Sequence, residues 1–156
     1  MKKIAFILLL SILLTGCGQN ELDTFVDEFN QSARKYDTTE LMENEFGKIE
    51  SEDGEEWRNL FESKEYLIRV YYENNSISGY HINVESDTTS IDKKGKGYNA
   101  VLTLADTLGL NISDLEKGMQ EGFNKDFYEY EDGDYKVRIY VINIISASMG
   151  ITIEKK

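Results

Sequence analysis

Few residues in this chain could do covalent or metal chemistry. His81 is the only histidine and Cys17 the only cysteine, which excludes a multi-histidine metal site and a cysteine zinc site. A Ser–His–Asp triad would have to use His81, and no Gly-x-Ser-x-Gly elbow is present to carry its serine. Carboxylates are plentiful, 29 in all, so counting does not exclude an acid pair. They read as a solvated face. Glu129, Glu131, Asp132 and Asp134 cluster near a turn. They lack the alternating ligand register and glycine of a calcium loop and are read as flanking a hairpin. Lys93-Lys94-Gly95-Lys96-Gly97 lacks the spacing and closing Lys-Ser/Thr of a phosphate loop, and is read as a connection. The expectation is a non-enzymatic chain needing no cofactor and no metal.

Binding chemistry is better served. Side chains alternate faces along a strand. In Tyr66-Leu67-Ile68-Arg69-Val70-Tyr71-Tyr72, Ile68, Val70 and Tyr72 should face a core, which leaves Arg69 and Tyr71 on the other side. Val137, Ile139 and Val141 likewise leave Arg138 and Tyr140 outside. His81, Asn83 and Glu85 share that face if Ile82 and Val84 are buried. Arg and Tyr are enriched at binding hot spots because each joins a large contact area to a directed polar group. Arg69, Tyr71, His81, Arg138 and Tyr140 are therefore the candidate partner-binding residues. Ile142-Asn143-Ile144-Ile145 is unusually apolar beside its polar counterpart Glu73-Asn74-Asn75-Ser76. It reads as either an exposed contact patch or a strand extension filling the core, and the core is the preferred expectation.

The elements that must position these residues follow from periodicity. Leu22, Phe25, Val26, Phe29 and Ala33 predict an amphipathic helix over 20–35, and a second short helix is expected from Thr39 to Phe46. Glu56–Glu62, Tyr66–Tyr72 and Ile77–Glu85 read as strands, with Asn74-Asn75-Ser76 as a turn. Tyr98, Val101, Leu102, Ala105 and Leu108 predict a helix stopped by Gly109. Ser113-Asp114-Leu115-Glu116 reads as a capping box opening another. Strands over 126–131, 134–144 and 149–154 complete the chain, with Asp132-Gly133 as a hairpin turn.

The two halves match. Shifted by 69 residues, 66–85 lies on 135–154 without a gap, with six identities, Arg69 on Arg138 and Tyr71 on Tyr140 among them. The expected fold is α+β: two tandem helix–helix–antiparallel-meander units over 22–85 and 98–156, joined by a linker at 86–97, with the helices on one sheet face. This layout is similar to tandem α+β inhibitor domains such as the β-lactamase-inhibitor-protein fold and to cystatin-like lipoproteins of Gram-positive bacteria. The likeness is one of topology, which many functions share.

The N-terminus gives an address. Met1-Lys2-Lys3 is a basic head, and Ile4–Leu14 is apolar apart from Ser11. That run is too short to span a bilayer, which takes roughly twenty residues, but suits an export signal. Leu14-Thr15-Gly16-Cys17 resembles the lipobox of bacterial lipoproteins. The resemblance implies that 1–16 is a signal peptide and that Cys17 becomes the diacylglyceryl-modified first residue, which also removes its thiol from any Cys–His dyad. Two acyl chains anchor a protein stably where one does not. The processed chain would have 140 residues and, without Lys2 and Lys3, a charge of −14, which repels nucleic acid and anionic lipid. Residues 17–21 would be a short tether of about 17 Å extended, holding the fold near the headgroups. The composition points to a low-GC Gram-positive source.

The functional expectation is a membrane-anchored extracytoplasmic module. It would bind another membrane or cell-surface protein in the manner of an inhibitor, immunity or exclusion protein. A solute- or envelope-glycan-binding lipoprotein is the alternative.

Overall fold

The computed structural model describes residues 17–38 and 40–156. The signal-like stretch 1–16 therefore lies outside the described residues, and Cys17 is the first of them. Helix α1 spans Cys17–Ala33. Strands β1 (Glu50–Glu52), β2 (Glu55–Glu62), β3 (Tyr66–Glu73) and β4 (Ser76–Glu85) follow. Then come α2 (Lys96–Thr107), α3 (Ile112–Lys125), β5 (Phe127–Asp132), β6 (Tyr135–Asn143) and β7 (Ala147–Lys155). The protein is α+β: among the described residues, three helices pack on a seven-stranded antiparallel sheet of order β1-β2-β3-β4-β7-β6-β5.

Alternation builds the core. Ile68 and Val70 of β3, Ile82 and Val84 of β4, Val137 and Ile139 of β6 and Ile151 and Ile153 of β7 are all buried. They share a face with the apolar stripe of α1 (Leu22, Phe25, Val26, Phe29) and with Val101, Leu104, Leu115 and Met119 of α2 and α3. Burying each such side chain contributes about 1.5–3 kcal/mol. The β3–β4 turn is set by Asn74 and Asn75, both left-handed at φ 51 and 63, as a two-residue hairpin of matching twist requires. Gly109, at φ +70, ends α2 as its position predicts.

Several expectations are corrected. Residues 17–21 are the first turn of α1 and not an extended tether. Residues 40–46 form no helix. The Asn30 side chain instead takes up the backbone of Met42, donating to Met42 O at 2.9 Å and accepting from Met42 N at 2.9 Å, a side-chain-to-backbone pairing that competes with helix. The 86–97 connection is shorter, because α2 already begins at Lys96. Ser113 does not cap α3. Asn111 does, accepting from Ser113 N and Asp114 N, while Glu116 accepts instead from Tyr98 Oη at 2.7 Å. An extra strand, β1, pairs with β2.

The matching halves also differ in register. A gapless match would place Arg138 opposite Gly150, because Arg69 lies opposite His81. Arg138 lies opposite Thr152. The β6–β7 pairing is slipped by two residues relative to β3–β4. Side-chain period is also two, so the slip leaves every residue on its own face.

Candidate functional site

The helices cover one side of the sheet. On the other side the ladder registers bring the five candidate residues into adjacent rows. One row crosses six strands: Asn59, Arg69, His81, Thr152, Arg138 and Glu129. The next holds Trp57, Tyr71, Gly79, Glu154, Lys136 and Glu131. A third holds Leu67, Asn83, Gly150, Tyr140 and Phe127. Arg69, His81 and Arg138 thus share one line, with Tyr71 and Tyr140 to either side of it.

Both arginines are held by neighbours. Arg69 Nε donates to Asn59 Oδ1 at 2.8 Å, and its guanidinium lies 5.8 Å from the centre of the Trp57 ring, within cation–π range. Arg138 donates to Glu129 at 3.0 Å and also to Glu154. Glu129 has Lys136 at 2.9 Å as well, and these two cations hold its carboxyl below the usual range, Lys136 first. Arg138 is therefore an internally neutralised arginine, whereas Arg69 has no carboxylate partner among the described residues.

His81 lies deepest. Its Nδ1 is 3.0 Å from Thr152 Oγ1. Its ring passes over Gly150, where an added Cβ would come within 3.3 Å of Cε1. Burial, and secondarily the positive charge of Arg69, lower its pKa to about 4. It is a neutral imidazole at pH 7, fixed in place by a hydroxyl and suited to structure more than to proton transfer.

Two shallow depressions flank the row. One, of about 370 Å3, is lined by Glu52, Asp53, Glu55, Trp57, Arg69 and Tyr71. The other, of about 560 Å3, includes Tyr71, Gly79, Arg138, Tyr140, Thr152 and Glu154.

Strand parity located the face but missed its neighbours. Trp57 and Phe127 belong to it, and neither carries a local motif. Phe127 packs against Tyr140 at 4.9 Å between ring centres. The expectation that Ile142, Ile144 and Ile145 fill the core is wrong: they are 63, 84 and 87 % exposed. Parity puts Ile142 on the uncovered face. Ile144 and Ile145 stand in the turn between Asn143 and Ala147, beyond the end of the pairing.

The acidic cluster is dispersed among partners. Glu131 pairs with Lys156 at 3.0 Å, and Asp132 accepts from Asn111 N at 2.6 Å. Among the described residues no group of three or more His, Cys, Asp or Glu is arranged to hold a metal. No described helix is long and apolar enough to cross a membrane.

No protein-family model matches the chain, and neither do any curated protein or solved structure.

Proposed function

We propose that this chain is a lipid-anchored extracytoplasmic protein whose uncovered sheet face binds another protein at the cell surface. The observation that supports it most is the one-sided packing. Three helices occupy one face, and the other presents Trp57, Arg69, Tyr71, Tyr140 and Phe127 in neighbouring rows. An antiparallel sheet with a solvated face usually carries plain polar residues there. Aromatic and arginine side chains are instead the types that dominate binding energy. The scarcity of catalytic side chains agrees with a binding role.

The anchoring part of the reading rests on the lipobox resemblance. With lipid on Cys17, the helical start of α1 would leave only about 6 Å of helix before Glu21, which pairs with Lys155 at 2.5 Å. The β3–β4 and β5–β6 turns would then lie toward the bilayer and the β6–β7 turn away from it. The same reading takes the fold as two fused helix-plus-meander units meeting at β4 and β7. Ile82 lies opposite Ile151, the residue 69 positions later.

The test is crosslinking on intact cells of the native host. Wild type should yield a specific protein adduct, and a folded variant with Arg69, Tyr71, Arg138 and Tyr140 all replaced by alanine should lose it by about tenfold or more. Unchanged adduct would remove this face from consideration. A Cys17→Ser form that still sedimented with membranes after signal removal would remove the anchor. The depression of about 560 Å3 between Tyr71 and Tyr140 favours a second reading, a small solute or glycan. A rise in melting temperature with a sugar or peptide, absent in the Tyr71→Ala form, would select it.

A further inference from the structure

The sheet has two edges, and they differ. On one side β1 is three residues long, two of them glutamates, and covers only Glu55–Trp57 of β2, whose remaining edge is broken by a register shift between Asn59 and Phe61. Short strands, charges and irregular pairing are how natural sheets blunt an edge. The β5 edge is six residues long and alternates exposed and half-buried positions. In an antiparallel ladder, hydrogen-bonded and non-bonded pairs alternate. Val141 N donates to Asp126 O at 3.0 Å, and the pairing runs unbroken from Phe127–Tyr140 to Asp132–Tyr135. Tyr128 and Tyr130 therefore bond inward to β6. Phe127, Glu129 and Glu131 turn their N–H and C=O groups outward, and none of these groups has a partner among the described residues.

Three donors and three acceptors repeating every second residue are matched by one kind of ligand, a polypeptide in extended conformation. The side chains beside the edge say more. At one end Phe127, 42 % exposed, Tyr140, 48 % exposed, and Ile142 form an apolar step. At the other end Glu131, Asp132 and Asp134 crowd the β5–β6 turn, and among the described residues the only cation that ion-pairs with these three is Lys156, at Glu131. We infer that β5 is a docking edge that takes an extended peptide segment as an eighth strand. The segment's apolar side chains would lie level with Phe127 and its basic side chains level with Glu131. The inference rests on edge geometry and holds with or without the lipid on Cys17 or the Arg69–Tyr71 surface.

Proline supplies the test. At Glu129 the backbone N–H points outward, so Glu129→Pro removes no bond to β6 but blocks an added strand. The probe is a fluorescent peptide of about seven residues with valines in one half and lysines in the other, tried in both orders and long enough to cover a typical strand. Wild type should bind it saturably. Glu129→Pro, its fold confirmed by circular dichroism, should bind about tenfold or more weakly. Glu129→Ala, which loses the side chain but keeps the amide, should fall by less than about threefold. Glu131→Pro serves as the second blocked edge if Glu129→Pro does not fold. A peptide with glycine in place of valine should bind poorly. Equal binding of that glycine peptide would mean mere charge attraction and overturn the assignment. So would full binding by either folded proline variant, or binding lost in Arg69→Ala/Tyr71→Ala and kept in Glu129→Pro. A wild-type dimer in sedimentation that Glu129→Pro dissolves would show that the edge pairs with a second copy, which also overturns a peptide partner.

Discussion

Replacing Gly79 with alanine should destabilise the fold by about 2–4 kcal/mol, a fall in melting temperature of roughly 10 °C for a chain of this size. Gly79 lies in central strand β4, between Tyr71 of β3 and Glu154 of β7. A Cβ there would sit 2.7 Å from Ile153 O and 3.3 Å from Glu154 Cα. Both are backbone atoms of the neighbouring strand. A flexible side chain could swing aside, but β7 can yield only by shifting its pairing on both edges. Gly47 is the control, because nothing lies within 4 Å of a Cβ added there. Gly47→Ala should change stability by less than about 0.5 kcal/mol. Urea unfolding of both variants checks the contrast. Equal, small effects would mean that the β4–β7 seam is looser than its geometry.

Acidification should weaken the protein well before its carboxylates titrate, and His81 should be the reason. Its folded pKa is about 4, against an ordinary value of 6.5. Between those values the unfolded chain binds a proton that the folded one refuses. Stability is therefore complete above about pH 6.5 and falls as pH drops toward 4, by up to about 3 kcal/mol. Asp106, Glu121 and Glu129 have carboxyls held below their ordinary values by lysine and arginine partners. Their contribution is lost only as pH falls below the usual carboxylate range, so the slope between about pH 5 and 6.5 isolates the histidine. The groups around it are the Arg69 guanidinium on β3 and the Thr152 hydroxyl on β7. A His81→Gln variant keeps a polar group and cannot charge. Its stability should be flat across that interval, whereas wild type slopes. A sloping glutamine variant would assign the acid sensitivity elsewhere.

How much of this was legible in the sequence depends on the range of the cause. Strand faces were readable because alternation is local. Ile68, Val70, Val137 and Ile139 point inward, and Arg69 and Arg138 outward, as their positions alone imply. The turn at Asn74-Asn75 was equally local, as was the one expected at Asp132-Gly133, which falls one residue later at Gly133-Asp134 because Asp132 still pairs with Tyr135. The irregular run at 40–46 was not, because its Met42 is tied to Asn30, twelve residues before it. The cap at Asn111 was missed because Tyr98 draws Glu116 out of the expected box. Ile142, Ile144 and Ile145 were assigned to the core on hydrophobicity, yet they lie where the ladder ends and no helix reaches. The single row through Arg69, His81 and Arg138 was invisible for a different reason. It depends on β4 pairing with β7 and on the two-residue slip of β6, and neither is written in any short segment.

The seam between β4 and β7 has one more implication. Ile82 faces Ile151, and outward from that pair Tyr80 meets Ile153 and Val84 meets Met149. Paired antiparallel with a second copy about Ile82, β4 would keep apolar opposite apolar: Tyr80 would meet Val84, and His81 would meet Asn83. A fragment ending at Glu85 would expose this strand as a raw border able to pair antiparallel with a second copy of itself. Cut at the 86–95 connection, the chain would yield no quiet half-domain. It would yield a piece whose most apolar border recruits another of the same kind.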